Sequence, residues 1–175
     1  MSRTQQRPQT RPQAVEVLAE AIPEELRMRP QWVCWRYALD EKGKWTKHPY
    51  NPQTGRRASH SDLLTWTAFE KVLEAYEAGR YDGVGFVFCS GDSYTGIDLD
   101  GCRDPESGEI EPWAAEIIQT FDTYTELSPS GEGIHIIAKG SLPGRGGKRK
   151  HIEMYDMKRF FTFTGHVVNG IEVRT

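Results

Sequence analysis

The chain has 175 residues, 37% of them hydrophobic, and a formal net charge of −3. That length suits one compact domain with a genuine core, and no run reaches the roughly eighteen consecutive apolar residues that a membrane span needs. The N-terminal MSRTQQRPQTRPQ lacks the apolar stretch of a signal peptide, so a soluble, cytoplasmic protein without a membrane partner is expected. Cys34, Cys89 and Cys102 form no CxxC pair, which argues for reduced, packed thiols over a disulfide framework or a structural zinc site.

In chain order, residues 1–13 are rich in Gln, Pro and Arg and predict a disordered tail, with the single folded domain over 14–175. Val15, Leu18 and Ile22 share a helical face that Pro23 ends, predicting a helix over 14–22. Aromatic-rich strands follow at 32–38 and 45–50 around a loop containing Gly43. Phe69, Val72, Leu73 and Tyr76 predict a helix over 66–78, with Ser61, Asp62 or Thr65 as cap and Gly79 as terminator. Strands at 84–89 and 94–99 flank the turn Ser90-Gly91-Asp92, and Pro112 opens a helix carrying Trp113, Ile117 and Phe121. Short strands near 124–127, 133–138, 151–155 and 159–164 complete an α/β (α+β) architecture, a largely antiparallel mixed sheet flanked by helices.

Charge is segregated along this order. Residues 91–132 hold eleven Asp and Glu against the single Arg103, whereas 139–159 carry Lys139, Arg145, Lys148, Arg149, Lys150, Lys158 and Arg159 against Glu153 and Asp156. Folded together, the two stretches make an acidic, cation-collecting site beside a phosphate-attracting one; kept apart, they are two solvated faces.

Within Gly96-Ile97-Asp98-Leu99-Asp100-Gly101 the period of two sends Asp98 and Asp100 to one side and Ile97 and Leu99 to the other. Neighbouring carboxylates repel unless a divalent cation lies between them, though a strand end preceding a turn would also place Asp here. Glu153 alternates with Ile152 and Met154 and offers a third hard oxygen ligand, or else an exposed acid. In Ser128-Pro129-Ser130-Gly131-Glu132-Gly133-Ile134-His135 the glycines allow backbone N–H groups to approach an anion. His135 is then either a polar residue satisfied near the core or a contact to a triphosphate, and His151 is the competing histidine.

Taken in order, Trp32, the run Lys47-His48-Pro49-Tyr50-Asn51-Pro52, Trp66, Gly83–Phe88, GIDLD, SPSGEGIH and Glu153-Met154-Tyr155-Asp156 through Arg159 to Gly165 resemble the primase-polymerase domain. This archaeo-eukaryotic primase core stands at the N-terminus of phage, plasmid and mobile-element replication proteins. The resemblance spans about residues 30–168 and implies a DNA primase/DNA polymerase that performs template-directed nucleotidyl transfer with two metal ions, Mg²⁺ or Mn²⁺. It implies Asp98, Asp100 and Glu153 as metal ligands, with Glu where many members have Asp. It implies His135 as a further catalytic residue and Lys47, Ser130, Gly131, Gly133, His135 and Arg159 as nucleotide contacts. Arg145, Lys148, Arg149 and Lys150 read as a mobile loop that tracks DNA phosphates. Expected partners are NTP or dNTP substrates and single-stranded DNA template and primer, with a helicase domain or protein admitted as another. The chain ends at Thr175, soon after the last motif, as a fragment or a short member would. A metal-dependent nuclease and a non-catalytic single-stranded-DNA-binding module are the rival readings.

Overall fold

The computed structural model describes residues 10–175. Its N-terminal hairpin follows from the aromatic alternation: β1 (Trp32–Leu39) pairs antiparallel with β2 (Trp45–Tyr50) across a loop where Asp40 accepts the amides of Lys42 and Lys44. A short α1 (Glu24–Arg27) precedes them, and α2 (Phe69–Glu77), β3 (Gly83–Phe88) and β4 (Tyr94–Leu99) come next. Then follow α3 (Pro112–Phe121), β5 (Thr125–Leu127), β6 (Ile134–Lys139), β7 (Gly147–Arg149), β8 (Ile152–Tyr155), β9 (Arg159–Phe163) and β10 (Val167–Asn169).

The strands form two sheets, of order β2-β1-β3-β9 and β10-β5-β6-β4-β8-β7, and the named strands pair antiparallel throughout. The mixed α/β class with antiparallel sheets is as the sequence predicts. The turn at residues 90–92 does not close a hairpin, however, because β3 and β4 belong to different sheets. Asp92 makes it a corner: its buried carboxylate accepts the amides of Cys89 and Tyr94 and the side chain of Gln31, which turns the chain from one sheet into the other.

Alternation in the six-stranded sheet sorts its two faces. Ile97, Leu99, Ile134, Ile136, Ile152 and Met154 pack with Ala114 and Ile118 of α3. The opposite face, carrying Tyr94 and Ile137, meets the aromatic core around Trp32, Phe86, Phe88, Phe161 and Phe163. Trp32 anchors that core, with edge-on contacts to Phe69 at 4.7 Å and to Phe86 and Phe163 at 5.3 Å. Gly96 lets the sheets touch here, since a Cβ at this position would lie 2.6 Å from the rings of both Phe88 and Phe161. Gly96→Ala is therefore expected to destabilise the domain by about 1–3 kcal/mol through overpacking, read as a lower denaturant midpoint at unchanged m-value.

Three other expectations need correction. Residues 14–18 are not helical, and only a 3₁₀ turn at Ala19–Ala21 forms there. Their amides are drawn away to distant acceptors: Val15 donates to Pro129 O, Val17 to Tyr76 Oη and Leu18 to Thr164 O. The second helix starts at Phe69 and not 66, because Trp32 and Thr67 exchange backbone hydrogen bonds that hold the preceding residues extended, and Asp62 caps a separate 3₁₀ turn, Leu63–Thr65. The basic segment is not a free loop, since Gly147–Arg149 form β7, paired with β8. Most of the tail expected over 1–13 lies outside the described residues; Arg11 within it pairs with Asp82 at 2.6 Å. The thiols are free, and burial pushes Cys102 up to about 11. Among the described residues no helix is long and apolar enough to cross a membrane.

Candidate active site

Strand register assembles the site. Across the six-stranded sheet, Glu126 of β5 stands opposite His135 of β6, His135 opposite Asp98 of β4, Asp98 opposite Glu153 of β8, and Glu153 opposite Lys148 of β7. Paired residues in adjacent strands share a face, so five ionisable side chains form one row, each about 5 Å from the next. Asp100 follows β4 on the same side, and its amide is held by His151 O at 2.8 Å. The row has a buried end and an exposed end: along it the side-chain exposure is 0% at Glu126, 7% at His135, 28% at Asp98, 13% at Glu153 and 51% at Lys148, with Asp100 at 45%.

At the outer end Lys148 Nζ donates to Asp100 Oδ2 at 2.6 Å and to Glu153 Oε1 at 2.7 Å, while Arg159 donates to Glu153 Oε2 at 3.1 Å and stacks over Tyr155. Those two hydrogen bonds hold the Lys148 ammonium well above its ordinary range. Among the described residues no three His, Cys, Asp or Glu side chains converge as ligands of one ion. The acids share an ammonium, which acts as a stand-in cation between hard oxygen donors. The carboxylates of Asp98, Asp100 and Glu153 suit Mg²⁺ or Mn²⁺ in both charge and donor type.

Further in, burial pushes the Asp98 carboxyl up; His135 opposes that shift, and the like charges of Asp100 and Glu153 add to it. His135 Nδ1 lies 2.9 Å from Thr162 O, so its N–H donates there and Nε2 is turned to Asp98 Oδ1 at 3.5 Å. Burial lowers the pKa of this histidine. Lys47 stands on β2 in the other sheet; burial lowers its ammonium, and the charges of Asp98 and Asp100 oppose that shift.

The structure thus brings together Asp98, Asp100, Glu153, His135, Lys47 and Arg159. Ser130, Gly131 and Gly133 stand on the turn before β6, but the glycine amides are already used. Gly131 N–H donates to Ser128 O and Gly133 N–H to Ser128 Oγ, and the exposed Ser130 hydroxyl accepts Glu132 N–H and lies 3.1 Å from Ser128 Oγ. Lys148 separates from its basic neighbours, facing the acids while Arg145, Arg149 and Lys150 remain exposed.

Sequence reasoning missed two residues. Arg103 ties the turn down through Gly131 O at 2.8 Å. Glu126, fully buried at the inner end of the row, accepts from Tyr124 Oη, Thr164 N and Gly165 N, and burial raises its carboxyl to about 7. The alternation Tyr124-Thr125-Glu126-Leu127, which sets an acid at a core position, was the signal for it.

A domain of the primase-polymerase type is the class that these features support together with a curated relative. The chain is 34% identical over 146 residues, 80% of its length, to the DNA primase-polymerase of Nitratiruptor phage NrS-1. Those residues make up 20% of the relative, so the chain spans about one-fifth of that protein's length. No family model matches the chain.

Proposed function

We propose that the chain is the catalytic core of a template-directed nucleotidyl transferase that makes or extends DNA strands. The observation that carries this reading is the acid row itself, with Asp100 and Glu153 sharing one ammonium at 2.6 and 2.7 Å beside Asp98. Asp98, Asp100 and Glu153 would hold two Mg²⁺ or Mn²⁺ ions. The chemistry such ions would supply there is neutralisation of charge that develops at an attacking 3′-hydroxyl and a departing pyrophosphate. The chain's own groups do the positioning. Lys47 and Arg159 supply fixed positive charge on the side of the four-stranded sheet, and His135 presents Nε2 from a ring locked through Nδ1. Ser130 closes the nucleotide side, while Arg145, Arg149 and Lys150 offer charge to a DNA strand.

Lys148 has a role in this reading that differs from a plain DNA contact. It donates to Asp100 Oδ2 and Glu153 Oε1, so an ion taking those oxygens would compete with it. Lys148→Met is accordingly expected to increase the rise in melting temperature produced by a given Mn²⁺ concentration, because the ion no longer competes with an ammonium. An identical Mn²⁺ response in variant and parent would show that Lys148 and the ion do not share a place.

The function itself is tested by supplying labelled deoxy- and ribonucleotides, a primed single-stranded template and Mn²⁺. Template-dependent extension is the expected result. Template binding without extension would favour the non-catalytic module, and shortening of the primer would favour a nuclease.

A further inference from the structure

We infer that the groove between α3 and the β7–β8 hairpin is a base-stacking seat for single-stranded DNA, with Trp113 as its aromatic wall. This rests on the template-directed reading above. The groove encloses about 950 Å³, at the upper end of the roughly 300–1,000 Å³ usual for ligand sites. Trp113, in the first turn of α3, forms one side; His151, Arg145, Arg149 and Lys150 form the other.

Three observations point to a polynucleotide. First, Arg145, Arg149 and Lys150 are exposed and, among the described residues, enter no salt bridge, unlike Lys148 and Arg159. Three uncompensated cations along one rim match a chain of phosphates. Second, Trp113 and His151 place two rings in the same groove, with centroids 6.2 Å apart and planes 35° from parallel, beside the apolar Leu142 and Pro143. Flat apolar faces under a cationic rim suit unpaired bases, since bases inside a duplex already stack on each other.

Third, the hairpin joins the groove to the acid row. Alternation turns Lys148 and Glu153 to the catalytic face, whereas the opposing pair Arg149 and Ile152 belongs to the face that α3 covers. Gly146 allows the loop to lie directly on β8, because a Cβ there would collide with Met154 O. With β7 as the edge strand of its sheet, a single strand seated on Trp113 has only that edge to round before it reaches the acids.

The test titrates fluorescein-labelled oligothymidylate, and an abasic strand of equal length, into the protein at several salt concentrations without nucleotide or metal. Trp113→Leu is expected to weaken oligothymidylate binding on the order of tenfold, with an unchanged salt slope and unchanged binding of the abasic strand. Trp113→Phe keeps an aromatic face and should retain most of the affinity, which covers the case in which the leucine variant does not fold. The Arg149→Gln, Lys150→Gln pair should weaken both strands and reduce the log–log salt slope by about 0.7 per lost contact. Wild-type affinity in a folded Trp113→Leu protein, or equal wild-type affinity for the two strands, overturns the stacking seat while template-dependent extension still stands. Failure of the wild-type protein to bind either strand overturns the template-directed reading as well.

Discussion

Asp98→Asn is expected to lower nucleotide incorporation by about 10²–10³-fold without lowering the melting temperature. The substitution keeps the shape of a side chain at the centre of the row, between His135 and Glu153. What it removes is a charge, and that charge is held at a cost, because burial and two neighbouring acids all push the Asp98 carboxyl up. Neutralising it relieves repulsion in the folded protein but deprives any cation of its middle ligand. Incorporation of labelled nucleotide and thermal melting, measured side by side in Mn²⁺, separate the two effects. Incorporation at the parental rate would remove Asp98 from the reacting centre.

Glu126→Gln is expected to give a large loss of stability from a change of one atom. The carboxylate receives Thr164 N–H on Oε1 at 2.9 Å, and on Oε2 both Gly165 N–H and Tyr124 O–H at 2.7 Å. An amide offers one oxygen and one NH₂, so one buried backbone donor faces another donor. Against the ionised parent such a mismatch costs about 1–3 kcal/mol, to be read from urea unfolding on the alkaline side of the Glu126 titration. The same residue gives the parent a pH dependence. Its carboxyl titrates near 7 when folded, against an ordinary value of 4.5, so between those values the folded state binds more protons than the unfolded chain. Its contribution is therefore fully present below the ordinary value, is lost as pH rises towards 7, and is flat above. The glutamine variant should lack this slope, and equal slopes in both proteins would mean that Glu126 does not titrate in that window.

The acid row was legible to the extent that period-two alternation carries it. Asp98 between Ile97 and Leu99, and Glu153 between Ile152 and Met154, announce their faces locally, and the structure keeps those assignments. Register is not local, and it decides everything else. Nothing in the sequence fixes Lys148 opposite Glu153, so a residue grouped with three basic neighbours is the counterion of the acids. Glu126 was hidden in a stretch counted only for its total charge. The helix expected at 14–22 failed because apolar spacing cannot foresee that Pro129 and Thr164 would claim its amides. The turn at 90–92 reads by composition only as a break between two strands, whereas the side chain of Asp92 bends it into a corner between sheets.

That corner has its counterpart between β8 and β9, where the chain leaves the six-stranded sheet for the four-stranded one. Lys47 and Arg159 therefore lie in one sheet and the acids in the other, and Lys148 meets Asp100 across 48 residues of chain. Contacts of such sequence separation demand costly loop closure before they return any stabilisation. No contiguous hairpin of this chain holds the complete constellation. The constellation exists only when both sheets have closed on each other, so any cation binding measured there would be a readout of the whole fold and not of any one strand pair.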